Sequence, residues 1–223
     1  MYAEPFIQAG HVTLPAMLGA DALHAIDIAL QNAGAIAARQ MLRLDWCAAL
    51  GNQLRGQLVA AGLLPPRCVT VQCTYFEKSR DHNWLVAPHQ DLSIPVAARI
   101  DSAAVTGWSE KDGLLFVQPP VFVLETLVAL RLHIDDCHAD DGALKVVPGS
   151  HMHGRLNESD RTALRAQHGE VLCPVNAGGG MTMRPLLVHA SSKASGTSRR
   201  RVLHFVFGPP GLPAGLAWPD STR

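Results

Sequence analysis

Imidazole and carboxylate groups bind borderline metals, and this chain carries both at short spacing. It has eleven histidines in 223 residues. Three His-x-Asp pairs occur: His89-Gln90-Asp91, His133-Ile134-Asp135 and His138-Ala139-Asp140. Two histidines and one carboxylate on one side of Fe(II) leave positions open for further ligands. Strand residues two apart point the same way, so such a pair supplies two ligands and a distant histidine the third. Spacing alone does not choose among the pairs. His138 and Asp140 run into Asp140-Asp141-Gly142, the mark of a solvated turn. His133 and Asp135 share an expected strand face with Arg131, where a polar face with an ion pair is the ordinary reading. His89 and Asp91 follow Pro88 in a largely apolar stretch, Trp84 to Leu92, suited to a bent strand beside a cavity. The distal candidate is His189, which ends the apolar run Met181 to Val188.

A cluster of arginines, Arg199-Arg200-Arg201, follows. The ordinary reading is a solvated basic turn. The chemical reading turns one guanidinium inward onto a carboxylate, which its rigid fork suits better than lysine. Three arginines without interleaved aromatics are poor support for nucleic acid. Lys plus Arg is 19 and Asp plus Glu is 19, so charge gives no support to nucleic acid or an anionic membrane as main partner. No apolar run approaches membrane-spanning length. The first residues, MYAEPFIQAG, lack the layout of a secretory signal, and a cytoplasmic protein is expected. Cys47, Cys68, Cys73, Cys137 and Cys173 are scattered without a CxxC pair, which predicts reduced, buried thiols.

With 48% hydrophobic and 17% charged residues, the chain has the composition of one ordered domain. The stretch from about Leu14 to Leu64 reads as helical, with Asp21 and Asp45 as caps and Pro65-Pro66 as the stop. Strands are expected at Val69 to Phe76, Val121 to Asp135, Ala143 to Val147, Glu170 to Pro174, Met181 to His189 and Arg201 to Phe207. Trp108 to Pro120 reads as a loop. Helices first (residues 1–66) and short strands after (67–210) predict a mainly β, α+β fold, a jelly roll buttressed by helices.

Three blocks resemble the phytanoyl-CoA dioxygenase family of Fe(II)- and 2-oxoglutarate-dependent oxygenases. The first runs from Tyr75-Phe76-Glu77-Lys78 through Asn83-Trp84 to Pro88-His89-Gln90-Asp91. The second runs from Leu132-His133-Ile134-Asp135-Asp136 to Val147-Pro148-Gly149-Ser150-His151. The third joins His189-Ala190-Ser191-Ser192 to Arg199-Arg200-Arg201-Val202-Leu203. Their order and spacing together are more specific than any one of them.

The resemblance implies a double-stranded β-helix, cupin-like, with the metal inside one mouth. It implies His89, Asp91 and His189 as iron ligands. It also implies Arg200, assisted by Ser191 and Gln72, as the co-substrate contacts; the cluster leaves Arg199 and Arg201, which would point to the other strand face, as the open alternatives. Fe(II), 2-oxoglutarate and O2 are the implied cofactor and co-substrates, and hydroxylation of an unactivated C–H with release of succinate and CO2 is the implied reaction. Related halogenases replace the triad carboxylate with a small residue, so Asp91 argues against halogenation. Gly149 reads as a backbone requirement, and His151 as structural or as a support behind the metal ligands. Trp108, Gln118, Arg131 and His133 are candidate substrate contacts, with ordinary strand-face or surface roles as the alternative. The expected partner is a small molecule, and the expected state monomer or homodimer. A metal-free jelly-roll binding protein and a zinc hydrolase of cupin-like fold are the competing readings.

Overall fold

The computed structural model describes residues 2–32, 39–79, 82–196 and 199–219. The chain runs α1 (Ala3–Ala9), β1 (His11–Leu14), α2 (Ala20–Asn32), α3 (Asp45–Ala60), β2 (Val69–Lys78), β3 (Val86–His89), β4 (Ile94–Val96), β5 (Thr106–Lys111), β6 (Leu114–Gln118) and α4 (Val121–Glu125). It continues through β7 (Val128–His133), β8 (Leu144–Val146), α5 (Glu158–His168), β9 (Val171–Cys173), β10 (Gly180–Met183), β11 (His189–Ser191) and β12 (Arg200–Gly208). The strands form three antiparallel sheets, ordered β1-β10-β7-β12-β2, β3-β11-β8-β9 and β4-β6-β5. The architecture is therefore mixed α+β, with helices leading the chain.

Side-chain alternation divides the five-stranded sheet into two chemically distinct faces. On one face Leu130, Leu132, Leu203, Phe205 and Phe207 are buried with Leu50, Leu54 and Leu58 of α3 in one core. The helix presents those leucines at a spacing of four, one stripe along its length. On the other face Gln72, Thr74, Phe76 and Lys78 of β2, Ala129 and Arg131 of β7, and Arg200, His204 and Val206 of β12 line a cavity. The helices thus back the sheet, and its opposite face is free to carry chemistry.

Several local expectations need correction. The leading helical stretch is divided: Leu14 ends a strand, α1 precedes it, and residues 33–38 lie outside the described residues. Asp21 and Asp45 lie in first helical turns, where their charge suits the positive helix end, rather than at caps. Helix α3 ends before Pro65. Gly62 adopts φ 72° and donates to Val59 O (3.0 Å) while Leu63 donates to Leu58 O (2.9 Å), a Schellman stop that needs a left-handed residue.

Val121–Asp135 is not one strand. Pro120 precedes the short α4, and Thr126 Oγ1 donates to Val123 O (2.7 Å) before β7 begins. Trp108–Pro120 is not a loop. It holds most of the β5–β6 hairpin, turned by Asp112 (φ 52°) and Gly113 (φ 71°), the Asp-Gly signal of a type I′ turn. Met181–His189 is broken by Pro185, which has no N–H for a ladder, and the chain leaves the five-stranded sheet at Met183 for the four-stranded sheet at His189. All five cysteines are buried and unpaired. Among the described residues no helix is long and apolar enough to cross a membrane.

Candidate active site

Strand register brings the distant histidines together. β11 pairs antiparallel with β3, and His189 stands directly opposite His89, with ring centroids 4.1 Å apart. Asp91 follows two residues after His89, outside the strand, and its backbone N–H donates to Pro185 O (2.9 Å). The turn is fixed by Gln90, whose buried amide donates to Gly154 O (2.8 Å) and Leu186 O (2.7 Å) and accepts from Leu156 N (2.8 Å). Ser150 of the Pro-Gly-Ser-His turn accepts from Val188 N (2.8 Å), immediately before His189. Gly149 has φ 78°, the conformation expected of it. His151 Nε2 bonds Ile7 O at the end of α1 (3.1 Å), which is a structural contact.

His89 Nε2 lies 3.6 Å from Asp91 Oδ1, and His189 Nε2 lies 3.8 Å from Asp91 Oδ2. One donor atom from each residue falls within 4.8 Å of the others, a spacing that could hold a metal ion. Tautomers follow from the partners. His89 Nδ1 bonds Ala87 O and His189 Nδ1 bonds Leu187 O, both at 2.9 Å. A carbonyl only accepts, so each Nδ1 carries the proton and each Nε2 offers its lone pair toward Asp91. Such outer hydrogen bonds are what orient metal-binding imidazoles.

Electrostatics favour this arrangement at Asp91 and His189. Burial alone would raise the Asp91 carboxyl, but His189, His89 and His204 around it hold it well below the usual carboxylate range. Burial takes His189 down to about 4 against the pull of Asp91, so it is neutral near neutral pH, as ligation requires. His89 is raised, because Asp91 and the Ala87 carbonyl outweigh its burial.

The other two His-x-Asp pairs are elsewhere. Strand β7 ends at His133, so Asp135 does not share its face: Asp135 turns outward to Arg201, while His133 is buried. In the third pair's turn, Asp141 accepts from His138 N (2.8 Å) and holds the loop.

The cavity beside the triad has a volume of about 470 Å³, within the range of small-molecule sites. Gln72, Ser191 and Arg200 line it, as do Gln118 and Arg131; Trp108 and His133 are not among its lining residues. Gln72 Nε2 donates to Thr74 Oγ1 (3.0 Å), and Gln118 accepts from Arg155. Trp108 packs in a neighbouring core and meets Arg99 5.3 Å from its ring. The arginine cluster is resolved by alternation. Arg200 faces the cavity, Arg199 pairs with Glu77 (3.2 Å), and Arg201 pairs with Asp135 (2.6 Å) and Asp27.

Two cavity residues escaped the reading of the sequence. His204 stands opposite Arg131 across β12 and β7, and its Nε2 lies 4.0 Å from Asp91. Lys78 is 1% exposed and donates to Ser191 Oγ and Ser192 O, both at 2.7 Å. Among the described residues Lys78, Arg131 and Arg200 have no carboxylate in an ion pair, and the Nε atoms of both arginines are buried without a partner. Burying cations without paired anions is costly.

The model of the phytanoyl-CoA dioxygenase (PhyH) family matches residues 8–202. A comparison with curated protein sequences found no match. Similar solved structures include the non-haem α-ketoglutarate-dependent epimerase SnoN of nogalamycin biosynthesis, at 16% identity and TM-score 0.68, covering 98% of this chain and 83% of that one. The carbocyclase SnoK of the same biosynthesis matches at 16% identity and TM-score 0.65, covering 95% and 87%. HygX from Streptomyces hygroscopicus, solved with nickel and 2-oxoglutarate bound, matches at 17% identity and TM-score 0.62, covering 92% and 84%. By the extent of the family match, and with a His-Asp-His triad assembled in its fold, the chain belongs to the phytanoyl-CoA dioxygenase family of Fe(II)- and 2-oxoglutarate-dependent oxygenases.

Proposed function

We propose that this protein is a hydroxylase of a small-molecule substrate, with iron held by His89, Asp91 and His189 and 2-oxoglutarate held by Arg200, Ser191 and Gln72. The observation that carries the reading is the pair of Nδ1-to-carbonyl bonds, which direct both Nε2 lone pairs toward the Asp91 carboxylate. When bound, iron and 2-oxoglutarate supply the oxidising power that breaks a C–H bond, with succinate and CO2 released. The chain's own task is to bind and orient. Arg200 supplies a permanent charge for the far carboxylate of the co-substrate, and the Ser191 hydroxyl lies in the same wall.

The apolar part of the cavity, with Trp84, Leu92, Phe116 and Trp218, excludes water around the substrate's carbon skeleton. Arg131 and Gln118 are the polar candidates for substrate recognition. Trp108 and His133, away from the lining, have the more modest role of supporting residues. The two larger sheets are read as the halves of a double-stranded β-helix, and the chain as one domain working in the cytoplasm without nucleic acid or membrane.

The retained Asp91 favours hydroxylation over halogenation. An epimerase and a carbocyclase among the similar structures make the reaction type the point to test. A panel of small metabolites is incubated with the protein, Fe(II), 2-oxoglutarate and air, and succinate and product mass are followed. Hydroxylation adds one oxygen to the product. A product lacking two hydrogens, or an isomer of unchanged mass, would replace it with cyclisation or epimerisation. Turnover that persists without 2-oxoglutarate and oxygen would favour a zinc hydrolase.

A further inference from the structure

Strand register places Lys78 of β2 directly opposite Arg200 of β12, and both face the cavity. Like charges directly opposite one another destabilise a sheet. The other face of these strands is built differently. There Glu77 stands opposite Arg201, Arg199 pairs with Glu77, and Arg201 is compensated by Asp135 and Asp27. Both outer arginines have acids; among the described residues the two inner cations, Lys78 and Arg200, have no carboxylate in an ion pair.

The inner pair also converges on one point. Gly142 O accepts from both Ser191 Oγ (2.8 Å) and Arg200 Nη1, and Ser191 Oγ in turn accepts from Lys78. A Cβ at Gly142 would lie 3.3 Å from Lys78 Nζ, so the backbone there is kept bare beside the amine. Lysine has three donors and two are used; arginine has five, and its Nε is unpartnered.

Resting on the co-substrate reading above, we infer that Lys78 and Arg200 form a two-cation receptor for the far carboxylate of 2-oxoglutarate. Lys78 supplies charge and positions the Ser191 hydroxyl, and Arg200 supplies the fork. The arrangement explains why like charges face each other in a buried register: a bound carboxylate separates and neutralises them. It also identifies Lys78 as a determinant of co-substrate choice, since only 2-oxo acids with a second carboxylate at this reach use both cations.

The test compares 2-oxoglutarate with 2-oxopentanoate, which keeps the 2-oxo acid end and lacks the far carboxylate. Both are titrated into the full chain loaded with Mn(II), without oxygen turnover. Wild type should prefer 2-oxoglutarate. Lys78→Met and Arg200→Met should each cut that preference by about tenfold or more, the worth of a charge-assisted contact, with 2-oxopentanoate binding little changed. The double variant should bind both acids alike. A merely structural lysine would weaken both acids together and leave the preference intact, which overturns the inference, as does loss of preference in Arg200→Met alone. If Lys78→Met does not fold, Lys78→Gln, which keeps amide donors for Ser191 and Ser192, provides the comparison. Failure of wild type to bind 2-oxoglutarate at all would instead refute the co-substrate reading.

Discussion

Gly142→Ala tests how the cation wall is built. Gly142 sits at φ 70° and ψ 43°, a left-handed conformation that costs an alanine about 1–2 kcal/mol. Its new Cβ would stand 2.6 Å from Ser192 O, closer than real Cβ atoms come, and the obstacle is backbone. That segment cannot yield cheaply. Lys78 holds Ser192 O, and the Asn83 amide holds both the N–H and the carbonyl of Ala194 (2.8 and 2.7 Å). Overpacking against such an anchored segment adds about 1–3 kcal/mol. The sum is about 2–5 kcal/mol, which for a chain of this size lowers Tm by roughly 4–20 °C.

Gly62→Ala is the control. Gly62 also has positive φ (72°), but its Cβ would meet only Ala3 Cβ at an ordinary 3.8 Å. It should therefore show the backbone cost alone, about 1–2 kcal/mol. Thermal unfolding of both variants, followed by 2-oxoglutarate titration of the metal-loaded proteins, separates the contributions. Gly142→Ala should be the less stable variant and should bind 2-oxoglutarate more weakly; Gly62→Ala should bind as wild type. Equal Tm losses with equal binding would refute the argument that Gly142 is required by its neighbours.

Arg201→Met, on the outer face, strands Asp135 and Asp27 and should cost about 3 kcal/mol in denaturant unfolding, while 2-oxoglutarate affinity stays unchanged. Leu54→Ala, at a fully buried position of α3 against the sheet, should cost about 2–5 kcal/mol by the same assay. Lys78 gives a pH prediction. Burial, then Arg200 and Arg131, bring its amine down to about 8 from the ordinary 10.5. Between those values the unfolded chain holds more protons than the folded one, so stability gains with rising pH. The Tm difference between ligand-free wild type and Lys78→Gln should shift in favour of wild type above about pH 8, and a flat difference across that window would contradict the assignment.

What could be read from the sequence depended on range. Helices leading a strand-rich remainder were legible from apolar periodicity, and Gly149 from the turn it ends. Among the three His-x-Asp pairs, local pattern could not choose; the ordered set of His89, Asp91, His189 and Arg200 did. Some features carry a local signal: Asp112-Gly113 marks the β5–β6 hairpin, and Pro185 marks the crossing between sheets. Others were not local at all. Lys78 ends Tyr75-Phe76-Glu77-Lys78 and reads as a charged strand end, and only the β2–β12 register shows it facing Arg200 inside a cavity. His204 lies mid-strand among apolar neighbours and reads as core until register sets it against Arg131 and Asp91.

The central claim is that His89, Asp91 and His189 hold an iron to which 2-oxoglutarate binds. Its most direct measurement is anaerobic titration of the Fe(II)-loaded protein with 2-oxoglutarate, reading the visible charge-transfer absorption of a 2-oxo acid chelated to iron. The absorption should rise to one equivalent per chain in wild type and be lost in His189→Ala. No absorption in wild type, or an unchanged titration in His189→Ala, would contradict it.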